Sequence, residues 1–329
     1  MSETWTSLRI LDLARAYQPA CVLMAAAELD LFGVLSAGPR TASELAAALR
    51  CDRRATTILA DALAALGFLA KRDGAYAPAP GVAESLTGAG SLLPMLRHQA
   101  NCLRSWAQLA AVTQSGRPAH LPSIRGDDAD RDAFIEAMEV ASRDAAPHVV
   151  ASLGPLSFEH LLDVGGGPGT WTAAFLRAVP RARATLYDLP DVIPIARRHV
   201  DAAGLGQRVR FVAGDLATDQ PLPAGADLAW VSAIVHMNSR AQNRDLFAKV
   251  HAALVPGGRI LIRDIVMDES HTQPPAGALV AVNMLVRTTG GGTFSFDELS
   301  EDLESVGFEA CTVTRGQRDM DAIVAAVKP

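Results

Sequence analysis

A chain of 329 residues exceeds the ~100–200 of one typical domain, and 49% hydrophobic against 20% charged residues suits a globular protein with two cores. No apolar run approaches the ~18 residues that cross a bilayer, and no basic segment followed by a long apolar one opens the chain, so neither a membrane anchor nor an export signal is expected. A net charge of −6 works against phosphate backbones and anionic lipid, and the four scattered cysteines, Cys21, Cys51, Cys102 and Cys311, offer no C-x-x-C pair and no His at ligand spacing. No nucleic acid, no membrane, no metal and a reducing cytoplasm are the expectations.

In chain order, residues 8–35 are more apolar than an isolated monomer surface should leave exposed, which predicts a homodimer through these helices. Thr41 and Glu44 in TASELAAALR form a capping box, and residues 52–78 supply a second helix and a turn-rich ribbon. That is a winged-helix outline. Arg53 and Arg54 could serve DNA recognition, but an acidic, Ala-rich chain favours a packing module. Helices continue to about residue 150, and Gly154-Pro155 break the last of them.

Beyond the break, short β-branched runs alternate with amphipathic stretches, the pattern of a parallel sheet covered by helices. Strands are predicted at 159–164, 183–188, 208–213, 226–232 and 258–266, with a final pair at about 308–315 and 320–327. The helix in SRAQNRDLFAKVHAAL should turn Leu246, Phe247, Val250 and Leu254 inward and stop at Pro256-Gly257-Gly258. A capping box of Ser295 and Glu298 opens another helix, which Gly307 closes.

The first strand runs into DVGGGPGT, with glycines at 165, 166, 167 and 169. A dinucleotide fingerprint would need glycine where Thr170 stands, and Pro168 removes a backbone donor that a pyrophosphate would use. NAD is therefore the poorer reading. Asp188 ends the second strand, where a carboxylate can accept from both ribose hydroxyls of an adenosine, and Asp215 after the third can accept from an exocyclic amine. Three strand ends thus build a cleft where open α/β sheets bind ligands.

DVGGGPGT, YDLP, GDL, the His of AIVHMNS and PGGRILIRD, in that order, resemble the class I S-adenosylmethionine-dependent O-methyltransferases of plant and bacterial secondary metabolism. The resemblance implies an N-terminal helical, winged-helix-like dimerisation domain at 1–105 and linking helices at 106–153 that roof the substrate. It also implies a Rossmann-like seven-stranded α/β catalytic domain at 154–329. S-adenosylmethionine (SAM), with S-adenosylhomocysteine as product, would meet Gly165 and Gly167 at its methionine end, Asp188 at the ribose and Asp215 with Leu216 at the adenine. Asp163, Leu189 and Ser232 complete that set. Trp106, Phe134, Met138, Asn283 and Met284 would line the site of a small aromatic or polyketide-like acceptor.

A hydroxyl acceptor needs a base to remove its proton. His236, just after the fourth strand, stands at the family's base position, and Asp264 at that of the acid orienting it. Two departures stand out: Met237-Asn238 replaces the usual Asp-Trp after the base, and Thr293 stands where a second supporting acid is expected. They keep open a carbon acceptor, which demands less of a base; a relative that binds SAM without transferring methyl is a further alternative, though such proteins tend to lose the base and this chain keeps His236.

Overall fold

In the computed structural model, residues 4–88, 90–315 and 320–329 are described, and the chain forms two compact units. The first comprises residues up to Leu103 with Pro122–Val140, and the second Arg104–Leu121 with Ala141–Pro329.

The first unit is helical with a small antiparallel ribbon. Thr41 starts helix Ala42–Leu49 by the expected reciprocal box, in which its side chain accepts the Glu44 N–H and its own N–H donates to the Glu44 carboxylate at 2.7 Å. Asp52 caps helix Arg53–Ala65 by accepting the Ala55 N–H at 2.8 Å. Strands Arg40–Thr41, Ala75–Pro78 and Leu69–Arg72 pair in that spatial order. Leu31, Phe32, Leu35, Leu45, Leu63 and Tyr76 fill the core between helices and ribbon. Helix Ser7–Arg15, by contrast, buries no residue: Leu8, Ile10, Leu11 and Leu13 are 68%, 55%, 49% and 65% exposed.

The second unit is built on a seven-stranded sheet: β1 (His160–Val164), β2 (Arg183–Asp188), β3 (Val209–Ala213), β4 (Ala226–Ser232), β5 (Leu254–Asp264), β6 (Glu309–Arg315) and β7 (Ala322–Val327). The spatial order is β6-β7-β5-β4-β1-β2-β3, with the pairs β6–β7 and β7–β5 antiparallel and the rest parallel. Strand order reverses between β1 and β4, which opens a crevice at their carboxyl ends. Both faces are covered, so the central strands read as nearly unbroken apolar runs. Leu162, Val164, Phe247 and Leu303 belong to one core, and Leu161, Phe175, Leu186 and Trp230 to the other.

One boundary differs from the sequence reading. Leu254 does not extend the preceding helix: its backbone is extended (φ −76°, ψ 147°), and it pairs with Ala226 as the first residue of β5. Pro256 and Gly257 therefore lie within the strand rather than ahead of it, held where Gly257 N–H donates to Lys328 O at 2.9 Å. Residues 316–319, between the last two strands, lie outside the described residues.

Candidate active site

The glycine turn leaves β1 in the left-handed region, with Gly165 at φ +65° and Gly167 at φ +53°, so the residue type follows from the backbone. Its N–H groups are all used internally. Gly165 and Gly166 donate to Tyr187 O, Gly169 donates to Gly166 O, and Gly167 donates to Asp188 Oδ2 at 2.7 Å. With Pro168 between them, none of the four glycine N–H groups is left over for a pyrophosphate.

Asp188 also accepts the Leu189 N–H, on Oδ1 at 2.7 Å. Burial raises its pKa against the lowering effect of these two donors. Asp163 sits beneath the turn, 1% exposed, and accepts from Thr172 Oγ1. Burial pushes its carboxyl up to about 7, opposed by the Thr172 hydrogen bond. Its side chain is closed in between Gly166 and Thr172.

After β3, Asp215 Oδ1 accepts the Ala217 N–H at 2.9 Å. Its Oδ2 and the Leu216 N–H have no partner among the described residues, which leaves an acceptor and a donor on adjacent residues. Ser232, at the end of β4, receives Arg263 Nη1 on its Oγ at 3.2 Å. A Cβ on Gly167 would meet nothing within 4 Å, so the turn leaves open space there. Open space at Gly167, a carboxylate at Asp188 and the donor–acceptor pair at 215–216 fit an adenosine carrying an amino-acid tail.

His236 lies on the short turn Val235–Met237 after β4. Ala233 enters that turn at φ +57°, a conformation that costs a non-glycine residue on the order of 1–2 kcal/mol. His236 Nδ1 lies 2.8 and 2.9 Å from the two Asp264 oxygens, and the His236 backbone N–H donates to Oδ2 at 3.2 Å. A carboxylate only accepts, so the proton of the neutral ring is on Nδ1 and Nε2 is left with its lone pair. Burial is the largest single influence on the ring and lowers its pKa. The charge and hydrogen bond of Asp264 together outweigh it, and the net shift is upward.

The two departures resolve into structural roles. Asn238 Nδ2 donates to Asn243 Oδ1 at 3.1 Å, and the wholly buried Asn243 donates to Val235 O at 3.1 Å, so the pair braces the base turn from behind. Thr293 is buried and donates to Gly277 O at 3.4 Å, with no bond to the ring. Sequence reasoning missed Gly291 and Gly292. Gly292 N–H donates to His236 O at 2.9 Å, and a Cβ on Gly291 would lie 2.6 Å from His236 O and 2.9 Å from Met237 O. The triple glycine was the available signal, since close backbone approach is one of the few reasons for it.

Helix Pro275–Leu285 packs against the base turn and carries Asn283 and the buried Met284. Trp106 Nε1 donates to Asn283 Oδ1 at 2.9 Å, so the structure brings these two predicted residues together across 177 positions. Phe134 and Met138 lie on helix Asp127–Ser142, in the part belonging to the first unit, where Phe134 packs on His98 with ring centroids 5.1 Å apart.

A Rossmann-like sheet with a carboxylate-oriented histidine beside a glycine turn places the chain among the α/β proteins with a ligand cleft at the strand ends. A family model described as an O-methyltransferase domain matches residues 106–309, and one described as an O-methyltransferase dimerisation domain matches residues 11–87. The chain belongs to this O-methyltransferase family. It is 32% identical over 335 residues to the 3-hydroxy-5-methyl-1-naphthoate 3-O-methyltransferase of Streptomyces sahachiroi, spanning 96% of this chain and 94% of that one. It is 31% identical over 314 residues to the tetracenomycin polyketide synthesis 8-O-methyl transferase of Streptomyces glaucescens, spanning 91% and 90%. The crystal structure of human N-acetylserotonin methyltransferase in complex with SAM superposes with a TM-score of 0.80 at 25% identity, covering 100% of this chain and 99% of that one.

Two outcomes follow from the geometry. Gly291→Ala must displace the backbone of His236 or Met237, so methyl transfer should fall by about ten- to a hundred-fold, while S-adenosylhomocysteine affinity by calorimetry stays within about two-fold. Equal turnover in the variant would show that this contact does not position the base. Asp163 holds a proton in the folded chain up to about pH 7, whereas an unfolded aspartate loses it near ~3.9. The native state binds the extra proton between those values, so this carboxyl's contribution to stability falls as pH rises through that window. The melting temperature of Asp163→Asn should therefore gain on the wild type between about pH 4 and 7 and level off above that, and parallel curves would contradict this.

Proposed function

We propose that this methyltransferase carries a methyl group from SAM to a hydroxyl of an aromatic or polyketide-like small molecule, with His236 as general base. The observation that carries the reading is the Asp264–His236 pair, which holds the ring in the tautomer whose Nε2 can take a proton. Bound SAM supplies a methyl carbon activated by its sulfonium. Asp188 would accept the ribose hydroxyls, Asp215 and the Leu216 N–H would take the adenine edge, and the turn at Gly165 and Gly167 would meet the methionine end in the open space beside Gly167. Leu189 and Ser232 flank the same strand ends.

On the acceptor side, the indole N–H only donates, so Asn283 must face Trp106 with its Oδ1. Its NH2 has no hydrogen bond among the described residues and is free to donate to an oxygen of the acceptor. Met284 would give an apolar wall beside it. Such a pairing suits an oxygenated ring, and the two Streptomyces relatives, named for a hydroxynaphthoate and for tetracenomycin synthesis, support that class. That Cys21, Cys51, Cys102 and Cys311 form no disulfide among the described residues suits a reducing cytoplasm. Among the described residues no helix is long and apolar enough to cross a membrane.

The exposed apolar side chains of Ser7–Arg15 and the match to a dimerisation domain support a homodimer. Light scattering at micromolar concentration should give twice the 34.6 kDa chain mass, and Leu8→Asp with Leu13→Asp should shift it toward monomer.

His236→Ala should lower turnover by about 10²–10⁴-fold with S-adenosylhomocysteine affinity nearly unchanged. Because the ring's pKa is raised, kcat/KM of the wild type should climb with pH through a midpoint above the ordinary ~6.5. Asp264→Asn removes the raising influence and leaves burial, so its midpoint should move to lower pH as its rate falls. An alanine variant keeping more than about a third of wild-type turnover would remove His236 from the mechanism and point to methylation at a ring carbon.

A further inference from the structure

Lys249 lies on helix Arg240–Ala253, half-buried, with two of its three ammonium donors directed at the loop that follows β3. Its Nζ lies 2.8 Å from Leu216 O and 2.6 Å from Thr218 O. These are main-chain carbonyls two residues apart in a segment outside any strand or helix, so no ladder would otherwise hold them. The rest of the loop is tied to itself. The Thr218 N–H and hydroxyl both reach Asp215 O, at 3.2 and 2.8 Å, and Ala217 N–H reaches the Asp215 carboxylate. Of these contacts only the lysine's join the loop to a helix, and the residues they hold, Leu216 and its neighbours, carry the unpaired N–H and the free Asp215 oxygen.

We propose that Lys249 is a positioning residue for the adenine end of the cofactor: it fixes the 215–218 backbone so that the Leu216 N–H and the Asp215 carboxylate present one edge together. The inference rests on the SAM reading. Lys249 touches neither reacting atoms nor base, and acts through the loop alone. Its helix also carries Asn243, which holds Val235 O ahead of His236, so one rigid element references both the adenine loop and the base turn. An ammonium suits this task because its three donors, at the end of a long flexible stem, can serve two diverging carbonyls.

The test is calorimetric titration of the full-length protein with S-adenosylhomocysteine and with 5′-methylthioadenosine, which keeps the adenosine and lacks the amino-acid tail. Lys249→Met should weaken both ligands by about ten-fold and by the same factor, since the defect lies at the end they share. Lys249→Arg, which restores a cationic donor of similar length, should recover most of the loss. Methionine-variant affinities within two-fold of wild type would overturn the proposal. So would a loss confined to S-adenosylhomocysteine, or a weakening matched by a fall in melting temperature that arginine leaves uncorrected. A wild type that binds neither ligand would overturn the SAM reading itself, and this proposal with it.

Discussion

Strand β1 has neighbours on both edges and cores on both faces, and that confinement sets the form of everything at the sheet's carboxyl end. The chain can only leave such a strand by turning sharply over the sheet edge, and the turn is packed closely everywhere except at Gly167. A Cβ on Gly165 would strike Ile234 at 2.6 Å, one on Gly166 would strike Leu186 at 2.6 Å, and one on Gly169 would strike Val200 at 2.6 Å. The glycines are thus required by the turn's neighbours first, with the ligand using the room that remains. Ile234 belongs to the base turn, so the glycine turn and the base turn are packed against each other before any substrate arrives.

The same packing decides what the cleft can recognise. A turn with internally satisfied N–H groups has little to offer an anion, and the polar groups left at the strand ends are carboxylates, Asp188 and Asp215. Their field favours a ligand with hydroxyl and amine donors and a positive centre. Burial raises Asp188 toward neutrality, and the Gly167 and Leu189 N–H groups oppose that, keeping it an acceptor. Two folds of similar outline therefore separate into dinucleotide and SAM sites by where the glycine donors point.

Much of this was legible in the sequence because periodicity and capping residues report local physics. All seven strands of the large sheet fall within a few residues of their predicted places, and the Thr41 and Ser295 boxes are both formed. The error at Leu254 arose because an apolar residue at helical spacing can equally begin a buried strand, and its pairing with Ala226 is a long-range fact. Asp188, Asp215, His236 and Asp264 could be singled out as candidates because strand ends are where such chemistry sits. Asn243, Lys249 and Gly291 were not, because each acts on backbone carbonyls brought near by tertiary folding, and a mid-helix Asn or Lys has no local signature. Ala233 was illegible for another reason: alanine gives no hint of a left-handed conformation that its surroundings impose.

The ring of His236, the proposed base, is a balance between two opposed effects, and the departures from the family's usual pattern bear on that balance. Burial disfavours the imidazolium, Asp264 favours it, and the charges of Arg263 and Arg287 side with burial. A second carboxylate at Thr293 would add to the raising side, and a more basic ring holds its proton at neutral pH, where a general base must be empty to act. With Thr293 turned to Gly277 O and Asn238 turned to Asn243, the ring answers to one carboxylate only. Orientation, the function a second acid might have shared, falls instead to the backbone: the His236 N–H on Asp264, the His236 carbonyl under Gly292, and Val235 on Asn243. Holding the base by its main chain fixes its position without adding charge, and so leaves its pKa nearer the value at which a phenol's proton can be taken.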